Sequence, residues 1–567
     1  MPNARLHGRR ERGLVLLGRP AHRNICTRDS KIDRLPIRLA TRTEKKPNPV
    51  MKNNRAFSVL LEMRPALDGH AGIPQETRLL FRGLCECPSI EIEGLLQTSL
   101  AFLARGAEDN SAREPDMTLA AVRERTRVVV SMDKPRAKGI WATVLTYIRS
   151  RRTAYALALS TLLCPARAQV RLTRFAPRGF EEFVWRRLFE KTLPADDFKI
   201  VTTRDLRICT IPWNVLQSAG LLTLKFRREA IYPRLAFDRV SVFIAQTPYP
   251  GRIPSDVALV VRYHDAFPIM MPDTIANKVR HQATHQHALI SNAKSGAYFA
   301  CVSETTRQAL IALLPELRDR SVTIHNMIST DFRENNAPAD RVKQIVRLRA
   351  TPVGPLNPTF STTESRARFY TNALDRQPFK YLLMVSTIEP RKNHARLLTA
   401  WSTLMTDRDP SIKLVLVGNT GWGSEELTQE MRAWIDTGAL FVLSGVPAAD
   451  LCTLYRHAVA TVCPSLAEGF DYSGLESMAS GGVVVSSDIA VHREVYGDAT
   501  EYFDPHCTRS LADAIGRVAY DDRAEMRRSE LKALGREMAA RYQPKNILPQ
   551  WERFLGAIST GTAGIRR

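Results

Sequence analysis

From Phe57 onward, short apolar runs alternate with longer amphipathic stretches, and that alternation predicts strands and helices in turn. The first run, "AFSVLLEM" (Ala56–Met63), precedes a glycine turn at Gly69–Gly72 and the helical pattern "GIPQETRLLFRGL". Further strands are predicted at Val240–Gln246, Val257–Asp265, Ala297–Ser303 and Ser321–Ile328, with the helix "ETTRQALIALLP" between the last two. The polar, Pro- and Asn-spotted stretch from Glu334 to Pro378 reads as a linker holding a partial helix. A second series of strands follows at Tyr381–Ser386, Lys413–Gly418, Leu440–Gly445, Ala460–Ser465 and Gly482–Ser487. Strands that are apolar throughout are covered on both faces, as in parallel sheets. Two such series predict an α/β chain of two Rossmann-like, doubly wound domains facing each other across a cleft. The expected divisions are a basic extension over 1–55, an amino-terminal domain over 56–335, a linker over 336–378 and a second domain over 379–540. A helix and tail over 541–567 are expected to return to the first domain.

Composition refines this picture at one point. The 567 residues are 44% hydrophobic and 25% charged, ordinary for a globular protein, but the net charge is +23. Such a surface suits nucleic acid, anionic headgroups or phosphorylated substrates. Thirteen Lys/Arg against four Asp/Glu fall in residues 1–50, a segment without periodic apolar faces. That segment is expected to be a disordered extension or an over-long reading of the gene, with Met51 opening the folded part. Because the excess is concentrated there and no nucleic-acid motif accompanies it, a nucleic-acid-binding protein is the weaker class.

No run approaches the ~20 apolar residues of a membrane span. The nearest, "YALALSTLLCPA" (Tyr155–Ala166), is flanked by Arg151, Arg152 and Arg167. It reads either as a buried helix or as an amphipathic surface helix reaching back to Trp141 and Lys138 and touching anionic membrane. The nine cysteines are scattered, and Cys85-Glu86-Cys87 lacks a second pair for zinc. A reduced cytoplasmic protein follows, with peripheral contact at the inner face of the plasma membrane as an accompanying expectation.

Ligands of doubly wound sheets bind past the carboxyl ends of the strands. There the sequence places Thr387–Asn393, Asn419–Gly423 and Leu466–Phe470 on one rim. Arg391 and Lys392 supply cations, Gly469 and Gly474 permit close backbone approach, and a helix predicted to open near Tyr472 offers N–H groups; together these suit a diphosphate. Glu468 and Glu476, eight positions apart, suit sugar or ribose hydroxyls as acceptors. A nucleotide-diphosphate sugar has both parts. Each feature alone has a plainer reading: a solvated Arg-Lys pair, a helix-stabilising Glu476, a core His264, a packed Trp422. The one D-x-D, Asp407-Arg408-Asp409, precedes a strand and reads as a helix-end turn, so no metal is expected.

Together, "EGFDYSGLESMASGG", "STIEPRKNHARLL", "LVLVGNTGWG" and "SSDIAVHREVYGDATEYFDP" resemble the family-4 retaining glycosyltransferases of the GT-B fold. In the amino half, "RPALDGHAGIPQETRLL", "VVRYHDAFP", "ACVSETTRQAL" and "VTIHNMI" match the same pattern, so the resemblance covers about residues 56 to 560. It implies Glu476 on the nucleotide ribose, Glu468 beside the donor sugar, and Arg391 with Lys392 as the diphosphate clamp. Gly469 and Phe470 would give backbone contacts, His264 would face the transferred sugar, and Gly72 with Gly69 would form the turn by the donor phosphates. Gly418 and Asp471 count with the donor-binding set. The family's usual E-G-F-G-L-P is altered, since Asp471, Tyr472 and Ser473 replace G-L-P, which bears on sugar selectivity. The resemblance further implies a bacterial surface-polysaccharide or lipopolysaccharide enzyme, with GDP-mannose the favoured donor, a glycan or lipid-linked acceptor and no cofactor. The retention that the resemblance implies would leave the leaving phosphate itself to deprotonate the acceptor hydroxyl on the same face, and with no candidate protein nucleophile evident a covalent double displacement is not expected. A catalytically inactive GT-B-like binding module is the competing class, and the intact Arg391, Lys392, Glu468 and Glu476 argue against it. A dinucleotide dehydrogenase is weaker, because "GNTGWG" has the wrong glycine spacing.

Overall fold

The computed structural model describes residues 56–559 except 68, 70–71, 108–117, 134–138, 165–168, 276, 351–355, 357 and 376–377. The basic extension, Lys138 and Arg167 lie outside the described residues.

The first sheet is built from β1 (Phe57–Glu62), β2 (Ile90–Leu96), β3 (Thr173–Phe175), β4 (Leu206–Ile208), β5 (Val242–Ala245), β6 (Ala258–Tyr263), β7 (Tyr298–Cys301) and β8 (Ser321–Thr323). Their order across the sheet is β8-β7-β6-β5-β1-β2-β4-β3, parallel except for β3 against β4. The second sheet holds β9 (Tyr381–Val385), β10 (Lys413–Val417), β11 (Leu440–Leu443), β12 (Ala460–Cys463), β13 (Val484–Ser487) and β14 (Glu501–Phe503). Its order is β11-β10-β9-β12-β13-β14, parallel throughout. The chain runs outward from β9 to β11 and then crosses back to β12, so its switch point lies between β9 and β12, where a ligand crevice is expected.

The buried strands coincide with the apolar runs: Val59, Leu60 and Leu61 of β1 and Leu382 and Leu383 of β9 have no exposure at all. Strands β2, β3, β4 and β14 were not evident in the sequence. In β2, "IEIEGLL", two glutamates break the apolar run, and the other three strands are three residues long.

The helix Pro544–Ser559 packs Ile547, Trp551 and Leu555 into the core of the first domain, alongside Leu80, Phe81 and Leu84 of the helix Ile73–Cys85. Arg262 of β6 is fully buried beneath it. Its guanidinium donates to Glu76 Oε1 at 2.9 Å, Ile324 O at 2.6 Å and Asn326 Oδ1 at 2.6 Å, and it lies 5.1 Å from the Trp551 ring. A buried charge persists only when paired and hydrogen-bonded in this way. This one arginine therefore ties the first helix, the sheet and the last helix together.

The stretch read as a linker is packed. It holds the helices Asp340–Arg349 and Thr363–Tyr370, and Val342, Ile345, Val346, Tyr370 and Leu374 share a core with Tyr381, Leu383 and Val415. The i, i+3, i+4 spacing of the first three is a helical stripe, hidden in the sequence by the charged residues around it.

Of the two readings of Tyr155–Ala166, the surface helix is the one observed. Its described part belongs to the helix Ile140–Leu163, which buries Ala154, Ala158 and Thr161 and rests on the helix Trp213–Thr223 through Ala154, Val215 and Ala219. Tyr155, Leu159 and Leu163 are exposed, while Leu157 packs inward. No helix among the described residues is long and apolar enough to cross a membrane.

Candidate active site

After β9 the chain makes a short turn, Pro390–Lys392, and enters the helix His394–Asp407 through Asn393. Asn393 adopts a left-handed φ of 61° and is buried. The conformation is held by its amide, which donates to Pro464 O at 3.0 Å and Pro505 O at 3.1 Å, and asparagine tolerates it better than most residues. Leu466 N donates to Arg391 O at 2.9 Å. These bonds stitch the loop after β9 to the loop after β12 and bring Arg391 and Lys392 to Glu468.

The three side chains form one cluster, in which Glu468 is buried and Arg391 and Lys392 are partly exposed. Arg391 Nη1 donates to Glu468 Oε2 at 2.7 Å and to Ala467 O at 2.6 Å, and its Nη2 donates to Glu389 Oε1 at 2.8 Å. Lys392 Nζ donates to the other oxygen, Glu468 Oε1, at 2.5 Å. Burial pushes the Glu468 carboxyl up, but Arg391 and Lys392 together outweigh it and hold the group below the usual carboxylate range. The cluster is compact and preorganised, with two cations facing two carboxylates.

Glu476 sits in the helix Tyr472–Ala479 and is also buried, but no cation contacts it. Gln75 Nε2, from the first domain, donates to its Oε1 at 2.8 Å, and the Tyr455 hydroxyl donates to its Oε2 at 3.1 Å. Burial pushes this carboxyl up to about 7 despite the two donors. The two glutamates thus differ in electrostatic character: Glu468 is firmly ionised, whereas Glu476 is poised near neutrality.

Asp471 caps the same helix, accepting from Ser473 N at 3.1 Å and Ser473 Oγ at 2.7 Å. Its other oxygen lies 3.3 Å from His492 Nε2. Burial opposes its ionisation, but His492, Lys392 and Ser473 hold it well below the usual range. Its carboxylate is therefore engaged within the second domain. The Phe470 ring packs among Tyr472, Tyr542 and His325. Gly418 closes β10 so tightly that a Cβ there would lie 2.0 Å from Ser386 O.

The first domain supplies the opposite wall. His264, just past β6, places its Nε2 3.3 Å from Gln246 Oε1, and burial pushes its pKa well below the ordinary value, so the ring is neutral at physiological pH. Asp265 beside it accepts from Phe267 N at 3.1 Å, and the Arg391 guanidinium lies 5.2 Å from the Phe267 ring. Gly72 has a φ of 71° and leads into the helix that carries Gln75. The domains meet at Gly469, whose carbonyl accepts from Ser303 Oγ at 2.8 Å. Glu494 adds a second junction, accepting from Glu304 N at 2.5 Å and Thr305 N at 2.8 Å at a helix amino terminus, and lying 2.8 Å from His325 Nε2.

A Cβ on Gly469 would lie 1.9 Å from His264 O. Gly469→Ala therefore forces the two walls apart. The expected result is a drop in kcat/KM of at least ~10-fold, measured well below the melting transition, together with a lowered melting temperature, since the atom met is backbone that cannot swing aside and small misplacements of reacting groups are costly. Steady-state kinetics with calorimetry checks this, and parent-like kinetics would show that the contact is dispensable.

The structure brings together Arg391, Lys392 and Glu468, and places Gly469 against His264. It does not bring the His264 ring into contact with that cluster, nor Glu468 onto Glu476. Sequence reasoning missed Gln75, Gln246, Asp265, Glu389 and Tyr455. Gln75 stands in the quoted "GIPQ" turn and Asp265 in "RYHD", so a rim-by-rim reading could have found both; Tyr455, inside the helix Ala448–His457, gave no signal. Among the described residues, no three His, Cys, Asp or Glu side chains are grouped to hold a metal. Asp409 instead accepts from Ser411 at the end of the helix His394–Asp407.

Two facing doubly wound domains with this crevice constitute the GT-B architecture. Residues 371–536 match the family model described as Glycosyl transferases group 1. The chain is 28% identical over 264 residues to O-antigen chain mannosyltransferase B of Escherichia coli, covering 46% of this chain and 61% of that protein. It is 24% identical over 226 residues to O-antigen chain mannosyltransferase RfbU of Salmonella typhimurium, covering 36% and 62%. It is 27% identical over 218 residues to the MMP alpha-(1->4)-mannosyltransferase of Mycolicibacterium hassiacum, covering 38% and 47%. The chain spans less than two thirds of the length of each of these relatives. It has the GT-B fold, carries a glycosyl transferases group 1 region and is related to bacterial surface-polysaccharide mannosyltransferases.

Proposed function

We propose that the protein is a retaining glycosyltransferase that moves a hexose, with mannose favoured, from a nucleotide-diphosphate sugar to a glycan or lipid-linked acceptor in surface-polysaccharide or lipopolysaccharide synthesis. The observation that carries this reading is the Arg391–Lys392–Glu468 cluster at the switch point of the second sheet, two partly exposed cations held on a buried carboxylate. GDP-mannose is the favoured donor, in keeping with the mannosyltransferase relatives.

In this reading Arg391 and Lys392 take the charge that develops on the diphosphate as the anomeric C–O bond breaks. Glu468 holds the two cations in place and accepts hydrogen bonds from donor-sugar hydroxyls, with the Gly469 and Phe470 backbone beside it. Glu476 accepts from the ribose hydroxyls. Neutral His264 faces the transferred sugar and can donate or accept a hydrogen bond without adding charge. The acceptor oxygen bonds to the anomeric carbon on the face the diphosphate leaves, and its proton passes to a diphosphate oxygen. Gly72 and Gly418 let the backbone turn close to the donor.

A panel of nucleotide sugars, read by nucleoside-diphosphate release and thermal shift, tests the reading. GDP-mannose is expected to give the largest response, and NMR of the product to show a retained anomeric configuration. Absence of turnover and of thermal shift across the panel would reject the donor class. Binding without turnover toward any acceptor would favour an inactive GT-B-like module.

A further inference from the structure

The helix Ile140–Leu163 carries an apolar stripe that no part of the described chain covers. Trp141, Leu145, Ile148, Tyr155, Leu159 and Leu163 recur at helical spacing on the face opposite the buried Ala154 and Ala158, and all six are exposed, Trp141 to 80% and Leu163 to 70%. Helical spacing also puts exposed Arg152 on this face, between Ile148 and Tyr155, so two apolar segments flank a cation; exposed apolar surface of this extent marks an interaction surface. The chemistry around the stripe narrows the partner. The helix has three arginines, Arg149, Arg151 and Arg152, and no Asp or Glu. The preceding helix in the chain, Leu119–Met132, carries Arg123, Arg125 and Arg127 against the single acid Glu124, and leaves Leu119 and Val130 exposed.

We infer that this helix is a docking element for an anionic bilayer surface, lying in the headgroup plane with its apolar stripe immersed. At ~1.5 Å per residue its 24 residues extend ~36 Å, enough to lie along a membrane, while its arginines keep it from spanning one. Exposed Trp141, Tyr147 and Tyr155 are residues of the kind that settle at the headgroup level. A second copy of the chain suits the stripe less well, since a twofold pairing along it would bring Arg151 and Arg152 against their own like charges. Docking does not depend on which sugar is transferred.

Flotation of the full-length protein with vesicles of phosphatidylcholine alone, or mixed with phosphatidylglycerol, tests the inference without any measurement of transfer. Binding to the mixed vesicles is expected, falling when salt is raised from ~50 mM to ~500 mM as charge attraction is screened. Leu145→Glu with Leu159→Glu alters two exposed positions and is expected to cut the bound fraction at least ~10-fold with an unchanged melting temperature. Arg151→Glu with Arg152→Glu serves as an independent second variant should the first fold poorly. Every protein compared keeps the basic amino terminus, so a difference between variants reports on the helix. Equal flotation of parent and both variants, absence of binding at low salt, or equal binding to neutral vesicles would overturn the inference. So would a concentration-dependent dimer in sedimentation that the first variant abolishes, if vesicle binding is absent.

Discussion

Arg391→Ala and Lys392→Ala are each expected to lower kcat by about 10²–10³-fold, the range seen when one preorganised group that stabilises transition-state charge is removed. Both cations are fixed before substrate arrives: Arg391 by Glu468, Glu389 and the Ala467 carbonyl, Lys392 by Glu468. In the proposed reaction, that preorganisation would spare the reorganisation a mobile lysine needs as charge builds on the leaving diphosphate. The substitutions differ in their structural consequence. Arg391→Ala leaves the buried Glu468 with one cation and frees Ala467 O, so it is also expected to lower the melting temperature more than Lys392→Ala. Rapid kinetics well below both melting transitions separates the two effects. Arg391→Lys keeps charge but loses the fork that reaches Glu468 and Glu389 together, and an intermediate rate is expected. Parent-like kcat in both alanine variants, under conditions where the parent turns over, would remove the clamp from the mechanism.

Much of this site was legible because doubly wound sheets expose what they use at the ends of apolar strands. "YLLMVS" and "ATVCPS" could be read as strands from their apolar runs, and the residues after them had to share a rim once both lay in one parallel sheet. What could not be read was which partner each carboxylate would take. Glu468 and Glu476 stand eight apart in one motif, yet one meets two cations and the other a glutamine from the opposite domain and a tyrosine hydroxyl. Those contacts depend on how the domains meet, as at Gln75, which lies 401 positions from Glu476. That the helix Asp340–Arg349 within the expected linker would pack on the second sheet was missed for a related reason. Three apolar residues on a short charged helix do not announce a core position until a sheet is placed beneath them.

The interdomain contacts also suggest an order of events. Gln75 on Glu476, Ser303 on Gly469 and the Glu304 helix on Glu494 all cross between domains, and none involves the Arg391–Lys392 pair. The hydrogen bonds that fix the Arg391–Lys392 pair thus lie within the second domain, with the Phe267 ring of the first domain 5.2 Å from the Arg391 guanidinium, whereas the glutamate proposed to meet the ribose accepts a hydrogen bond directly from the first domain. On the proposed function, a donor would be held first by the second domain and then enclosed by the first.

Glu476 carries the second large expectation, and it is a dependence on pH. Its carboxyl is raised to about 7, chiefly by burial, while Glu468 is held below the usual carboxylate value by Arg391 and Lys392. Lowering the pH through 7 therefore protonates Glu476 first and leaves Glu468 ionised. An ionised carboxylate has about four lone-pair sites, of which Gln75 and Tyr455 use two, leaving two for a pair of ribose hydroxyls. Protonation converts one site into a donor and withdraws the charge that strengthens the rest. The kcat/KM for the donor is thus expected to fall about tenfold per unit below a midpoint near 7, since that parameter reports ionisation in the free enzyme. Glu476→Gln is expected to flatten this limb and to lower kcat/KM at pH 8 by about 10²-fold or more, as hydrogen bonds to charged groups are each worth about 1.5–3 kcal/mol. Gln75→Ala supplies the sharper test. Gln75 donates to the ionised form and so holds its pKa down; removing it is expected to move the midpoint upward, an effect that a purely structural Gln75 would not produce. A pH profile unchanged by either substitution would separate Glu476 from donor recognition, whatever the fate of the clamp.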